Sequence, residues 1–212
     1  MCTKLCVTDY SRELVIWQYS FLFARLQYSP SDPDTHEITH QSNTIQIIRA
    51  LAHKNSDSEV AELSYLLEIT HAYQFNVSTI NVEQLLTLAA QAASQNPFRE
   101  NQLQLSLMRM LLHVLYLIKC GNVPAALAKL REYHQLMDTR GTNEDLWHPE
   151  GRFDLLACNG TQKLYFEWLT HSESFVFGYI LSGMAYLPDC SAPKSRKFFL
   201  EGARVADSIP PI

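Results

Sequence analysis

Apolar residues recur at steps of three and four positions along most of this chain of 212 residues. The pattern is clear between residues 10 and 27, where it includes Leu14, Trp17 and Phe21, and it is strongest between residues 103 and 120. Such a period matches the turn of an α-helix, whereas a half-buried strand alternates apolar and polar residues. No segment alternates in that way for more than four or five positions. The sequence therefore predicts an all-α fold.

Helix-breaking residues divide this pattern into separate helices. Gly121 and Asn122 end the strongest segment and Pro124 opens the next, in keeping with the usual places of these residue types at helix ends. Residues 29–42 follow the first helix and are predicted to form a polar, proline-rich loop. Residues 138–153 are polar and are expected to be irregular. The predicted helices cover residues 10–27, 43–53, 60–73, 82–94, 103–120, 125–137, 175–187 and 192–206.

The two helices around Gly121 have the spacing of a tetratricopeptide (TPR) repeat. Leu117, Ala126 and Leu130 fall where such a repeat places apolar residues around a turn glycine. The last two helices repeat this arrangement more loosely, at Gly178, Leu181, Ser195, Phe199 and Gly202. We therefore predict a single TPR-like superhelix, or α-solenoid, of antiparallel helix pairs over residues 1–212. An irregular helical bundle is the alternative.

Both ends of the chain lie close to predicted helices. Complete solenoids normally end in polar capping helices, and the sequence pattern shows none. We therefore expect the chain to be a fragment of a longer solenoid.

Composition argues against several classes of function. None of the 7 glycines are spaced G-x-G, so glycine-rich turns that bind phosphate are not expected. The 17 basic and 22 acidic residues give a net charge of −5 without a basic run, which argues against a dedicated nucleic-acid surface. No cofactor is expected.

The cysteines and the N-terminal residues indicate a soluble intracellular protein. Five cysteines without a C-x-x-C pair fit free thiols better than a disulfide framework. Met1 is followed by polar residues rather than by the apolar core of a signal peptide. The most apolar stretches, residues 103–118 and 175–187, are either interrupted by Arg109 and His113 or too short to span a membrane.

One motif suggests catalysis. His36, Glu37 and His40 form an H-E-x-x-H pattern, which on a helix presents two imidazoles to a zinc ion and a glutamate as general base. Glu59 or Glu62 would have to supply a third ligand. The motif lies in the predicted polar loop, and no strand is predicted that would hold a substrate. We interpret it as part of an exposed loop, with a zinc hydrolase as the alternative.

Several blocks of the sequence match a known family in the same order. Residues 9–14 (DYSREL) open an apolar helix, and residues 178–183 (GYILSG) precede residues 199–202 (FLEG). Further blocks lie at residues 85–88, 96–97, 103–121, 127–130, 146–147 and 168–169. Together they resemble an interior portion of the TPR-type subunit of the cohesin loader, in the Mau/Scc family of sister-chromatid cohesion factors, and look closest to its fungal members. Residues 30–82 are longer and more polar than the family pattern.

This resemblance implies a non-enzymatic scaffold. Members of the family wrap an N-terminal segment of a large HEAT-repeat subunit, the adherin, and the two together place the cohesin complex on chromatin. The resemblance therefore implies a nuclear protein that acts in sister-chromatid cohesion, chromosome segregation and the cell cycle. A helical-repeat adaptor with another protein partner is the alternative.

The resemblance also indicates where a partner would bind. In such repeats the first helix of each pair lines the groove that holds the partner. Polar-tipped or aromatic residues on these helices are the candidates for partner binding: Arg12, Trp17, Arg109, His113 and Tyr116. Ordinary core packing is the alternative for each of them. No direct contact with nucleic acid or with a membrane is predicted.

Overall fold

A computed structural model describes residues 3–27, 35–96, 103–143, 146–158, 162–187 and 192–208. These residues form eight α-helices and one two-stranded β-hairpin. The helices are α1 (Thr3–Gln27), α2 (Thr35–Asn55), α3 (Ser58–Gln74), α4 (Val82–Ser94), α5 (Leu103–Lys119), α6 (Val123–Leu136), α7 (His171–Ala185) and α8 (Ala192–Asp207). The strands are β1 (Arg152–Ala157) and β2 (Gln162–Glu167). Neighbouring helices pack as antiparallel pairs, so the predicted all-α fold is confirmed.

Local capping signals set several helix ends. The side chains of Asn81 and Asn122 accept hydrogen bonds from backbone N–H groups at the starts of α4 and α6, at 3.0 and 3.3 Å. Thr170 and Glu173 form a reciprocal capping box at the start of α7. Gly121 ends α5 with a positive φ of 72°, a conformation that glycine adopts without strain. The start of α4 and the turn between α5 and α6 lie where the sequence placed them, whereas α7 begins at His171, four residues before its predicted start at residue 175.

The predicted loop over residues 29–42 is wrong for residues 35–42, because α2 begins at Thr35. Residues 29–34 lie outside the described part of the chain. The segment is polar, but Gln41 and Thr44 on its inner face are buried, and Thr44 Oγ1 donates a hydrogen bond to the carbonyl of His40 at 2.9 Å. The imidazole of His71 on α3 also lies 3.1 Å from the backbone carbonyl of Ile38, so packing against α3 extends α2 beyond the reach of the apolar pattern.

The hairpin departs from the expectation that no segment forms a strand. In β1, Phe153, Leu155 and Ala157 are buried, and in β2 the buried residues are Leu164 and Phe166. Burial alternates over six residues in β1 and over only five in β2, and runs this short are difficult to tell from helical segments by periodicity alone. Within the stretch predicted to be irregular, Met137–Gly141 forms a π-helical turn directly after α6.

The chain divides into two compact units. Unit 1 comprises Met1–Arg99 with Asp154–Phe166, and unit 2 comprises Glu100–Phe153 with Glu167–Ile212. That a single repeat region spans residues 1–212 stays a prediction.

A buried carboxylate ties the hairpin into unit 1. The two oxygens of Glu59, which is 2% exposed, accept hydrogen bonds from different partners. One comes from the Asn96 side chain at 3.1 Å, and the other comes from the backbone N–H of Leu156 in β1. The ring of Phe166 also packs edge-on against Phe23 of α1, with centroids 5.6 Å apart. Helices α1 to α4 and the hairpin therefore share one core.

Unit 2 is built around a cluster of aliphatic side chains from α5, α6 and α7. Tyr133 lies fully buried in this cluster, and its hydroxyl donates a hydrogen bond to the backbone carbonyl of Ser174 at 2.7 Å. Gly178 lets α7 approach closely, because a β-carbon there would lie 2.6 Å from the Tyr133 ring. The buried members of the cluster are Leu103, Leu107, Leu111, Val114, Leu130, Tyr133, Met137, Leu181 and Ala185.

Candidate functional site

Helix α1 has two apolar faces. On the inner face, Tyr19, Leu22 and Phe23 are buried, and the Tyr19 hydroxyl donates a hydrogen bond to the buried carboxylate of Asp57 at 3.0 Å. A helix on a protein surface usually turns charged or polar residues outward opposite such a face. On α1 several outward positions are instead occupied by further large apolar residues, beside the exposed polar residues Gln18 and Ser20.

We call these outward residues, Leu14, Trp17 and Phe21, the α1 seam. Their side chains are 53%, 74% and 63% exposed. An aromatic side chain has roughly 150–250 Å² of surface, so the seam exposes on the order of 400 Å². Single exposed apolar residues are common, but a contiguous patch of this size often marks a binding surface.

Charged residues lie at the two ends of the seam. Glu13 is exposed at its N-terminal end. At its C-terminal end the Arg25 guanidinium lies 5.8 Å from the centroid of the Phe21 ring and contacts the imidazole of His40 on α2. Among the side chains that the structure describes, the seam is therefore an uncharged strip between Glu13 and Arg25.

The structure places Trp17, a predicted partner-binding residue, at the centre of the seam. The side chain of Arg12 lies outside the described part of the chain. The sequence pattern identified Leu14 and Phe21 only as members of an apolar stripe, and it did not single them out as a site. One feature of the sequence does indicate a second apolar face. The helix is also apolar at Val15, Ile16 and Leu22, so it has more apolar residues than a single buried face can hold.

The other three predicted residues lie together on one face of α5 in unit 2. Arg109, His113 and Tyr116 are four and three positions apart and are half-buried. Each of them interacts with another residue of the chain. Their predicted role in partner binding stays a prediction.

The H-E-x-x-H motif lies on the first turns of α2 and not in a loop, which corrects our interpretation of its context. The side chain of His36 is outside the described residues. The His40 imidazole contacts the Arg25 guanidinium, a cation that disfavours a metal ion at the same ring. Both oxygens of Glu59 already accept hydrogen bonds, and Glu62 is buried. Among the side chains that the structure describes, no three of His, Cys, Asp or Glu are placed to hold a metal ion.

The lengths and apolar content of the described helices can be compared with those of membrane-spanning helices. None of them combines the length and the apolar character needed to cross a bilayer.

Comparison with known proteins identifies the family of the chain. No curated protein and no solved structure gives a significant match. The family model described as "Cohesin loading factor" matches residues 2–209, which is nearly the whole sequence. This match agrees with the resemblance carried by the sequence blocks. The chain therefore belongs to the cohesin loading factor family.

Proposed function

We propose that the chain is a non-enzymatic scaffold that binds an N-terminal segment of the adherin, the large HEAT-repeat subunit of the cohesin loader. In this role it helps to load cohesin onto chromatin in the nucleus for sister-chromatid cohesion. Family membership supports a role in cohesin loading. The observation that carries the binding role is the α1 seam, because a water-exposed strip of this kind gains free energy when a partner covers it.

The chemistry of the seam suits a protein partner. Tryptophan and other large aromatic residues dominate the binding energy of many protein interfaces. The strip lacks the clustered lysine and arginine that nucleic acid requires. Arg12 in unit 1, and Arg109, His113 and Tyr116 in unit 2, are proposed as further points of contact with the adherin.

The test uses the full chain and the N-terminal segment of the adherin from the same species. We expect the two to co-elute in size-exclusion chromatography and to give a saturable binding isotherm by calorimetry. A well-folded sample that binds no adherin segment would rule out the proposal. Recovery of a different protein partner in place of the adherin would instead support the adaptor alternative.

A further inference from the structure

The two outer edges of the β-hairpin differ. The backbone N–H of Trp168 donates a hydrogen bond to the carbonyl of Gly151 at 2.8 Å, and this contact sets the register of the two strands. Along antiparallel strands, residues that bond to the opposite strand alternate with residues whose backbone groups point away from it. Leu156 is of the second kind, and its N–H donates to the carboxylate of Glu59. The outer edge of β1 is therefore covered at this point by a side chain of α3.

The outer edge of β2 is open. The same alternation points the backbone N–H and C=O groups of Lys163, Tyr165 and Glu167 away from β1. Among the residues that the structure describes, no other backbone group pairs with them. All three residues are exposed, and Tyr165 at the centre is 66% exposed. Unpaired backbone groups along a strand edge are a template for another extended strand, so the edge itself fixes the conformation of what pairs with it.

We propose that the open edge of β2 pairs with the same edge of a second copy of this chain, antiparallel and centred on Tyr165. Tyr165 then lies opposite Tyr165 of the second copy, and Lys163 lies opposite Glu167. Residues that face each other in this way exchange two backbone hydrogen bonds per pair. The two hairpins form one continuous four-stranded sheet, which is closed by a two-fold axis. This pairing goes beyond the proposed function and does not involve the adherin.

Charge complementarity identifies a second copy as the occupant. Lys163 Nζ lies 2.6 Å from a carboxylate oxygen of Asp154, and Arg152 Nε lies 3.3 Å from a carboxylate oxygen of Glu167. The open edge thus has a basic residue two positions before Tyr165 and an acidic residue two positions after it. Reversal of the strand brings the lysine of each copy to the glutamate of the other, and the signs then alternate across the four strands. Opposite charges that face each other across strands stabilise their pairing.

Other pairings of the two edges are less favourable. A parallel pairing in register places lysine beside lysine and glutamate beside glutamate, and like charges in facing positions destabilise a sheet. A shift of the antiparallel strands by two residues places Tyr165 opposite a charged residue and moves the remaining charged residue beyond the end of the strand. A six-residue strand offers only a small interface, so we expect a weak dimer that depends on protein concentration.

Charge reversal followed by mixing tests this interface. Lys163→Glu makes the open edge acidic on both sides of Tyr165, and Glu167→Lys makes it basic on both sides. We expect sedimentation equilibrium to show a dimer for the wild type and a dissociation constant at least about tenfold higher for each variant alone. An equimolar mixture of the two variants should recover the dimer, because each strand then faces the opposite charge.

The mixture separates pairing between copies from a role within one hairpin. Loss of the ion pairs to Asp154 and Arg152 affects each variant in the same way whether or not the other variant is present. A mixture that associates no better than its components would therefore overturn the proposal. A wild-type chain that stays monomeric up to its highest soluble concentration would also overturn it, and an edge reserved for an extended segment of another protein would give that result.

Engineered cysteines test the register independently. In Tyr165→Cys the two new thiols face each other across the axis, with Cα atoms about 5.5 Å apart, a separation that permits a disulfide. In Lys163→Cys they are displaced by about 13 Å along the strand and cannot join, so this variant is the matched control. The exposed Cys120 is replaced by serine in both variants. We expect oxidation to give a covalent dimer of the Tyr165→Cys variant alone, and equal crosslinking of the two variants, or none in either, would contradict the pairing.

Discussion

At the scale of single residues, Glu59 connects parts of the sequence that lie far apart. Its carboxylate is buried on α3 and accepts hydrogen bonds from Asn96 and from the backbone of Leu156, which is 97 positions away. A buried carboxylate is stable only when donors compensate for its lost hydration. The hairpin and the end of α4 supply those donors, so Glu59 has a structural role and not the ligand role that the H-E-x-x-H hypothesis gave it.

Removal of this carboxylate should destabilise unit 1. In Glu59→Ala, the Asn96 amide and the Leu156 N–H would each lose the acceptor that Glu59 provides, and we expect a loss of about 2–3 kcal/mol in the free energy of unfolding. Urea denaturation measures this loss. Glu132→Ala is the control, since its ion pair with Lys129 is exposed and is worth at most about 0.5 kcal/mol. Equal stability of the two variants would contradict the structural role of Glu59.

His134 makes the stability of unit 2 sensitive to pH. Burial against α7 lowers the pKa of His134 below its usual 6.5, while Asp138 partly opposes this shift. The folded chain therefore keeps the ring neutral at a pH at which the unfolded chain protonates it. The stabilising contribution is present above pH 6.5 and is lost as the pH falls through the lower, folded-state pKa. His71 of unit 1 has a lowered pKa for the same reason, which is burial.

We expect the urea concentration at the midpoint of unfolding to decrease when the pH is lowered from about 7.5 to about 5.5. In His134→Gln, which can still hydrogen-bond to Ser182 but cannot titrate, the decrease should be smaller. A variant that depends on pH as strongly as the wild type would show that His134 is not a source of the effect.

At the scale of the elements, the predictions that succeeded rest on local chemistry. Asn81, Asn122 and Gly121 act through their own side chains or backbone angles, so their positions set helix ends without help from the rest of the fold. The start of α2 and the hairpin depend instead on burial against distant parts of the chain. Periodicity contains no information about those neighbours, and the sequence pattern therefore missed both elements.

The α1 seam shows the same limit for the candidate site. The apolar stripe was visible in the sequence, and Trp17 was selected on the expectation that first helices of repeats line a groove. Periodicity identifies the faces of a helix but does not say which one faces the core. Tyr19 and Phe23 turn inward because their aromatic partners and Asp57 lie there, and this leaves Trp17 outside.

The contact between α6 and α7 depends on a small residue at Gly178. Gly178→Ala adds a carbon 2.6 Å from the buried Tyr133 ring, and we expect the overpacking to lower the free energy of unfolding by about 1–3 kcal/mol. Helix propensity alone would favour alanine by about 1 kcal/mol. The control is Ala203→Gly on the exposed face of α8, which changes propensity without overpacking. Stabilisation by Gly178→Ala in urea denaturation would show that the helices do not approach so closely.

At the scale of the whole molecule, stability and partner binding should depend on different residues. The seam residues are exposed, so Trp17→Ser is expected to change the free energy of unfolding by less than about 0.5 kcal/mol. Affinity for the adherin segment should fall at least about tenfold, because a central aromatic residue of an interface is worth about 2 kcal/mol or more.

Calorimetry and urea denaturation of the same sample measure the two effects. Leu200→Ser on α8 is the matched control, since it removes a similarly exposed apolar side chain that is not part of the seam. Equal losses of affinity in the two variants would contradict a dedicated binding strip on α1.

Unit 1 also has a consequence for the order of events during protein synthesis. Its four helices are translated first, but the strand that donates to Glu59 follows 97 residues later. At about 5–20 residues per second, the ribosome needs on the order of 5–20 s to add that stretch. During this interval the Glu59 carboxylate and the apolar surface beneath the hairpin lack their final partners. The first half of the nascent chain is thus prone to aggregation, and suited to chaperone binding, during this interval. The interval ends when the hairpin is complete.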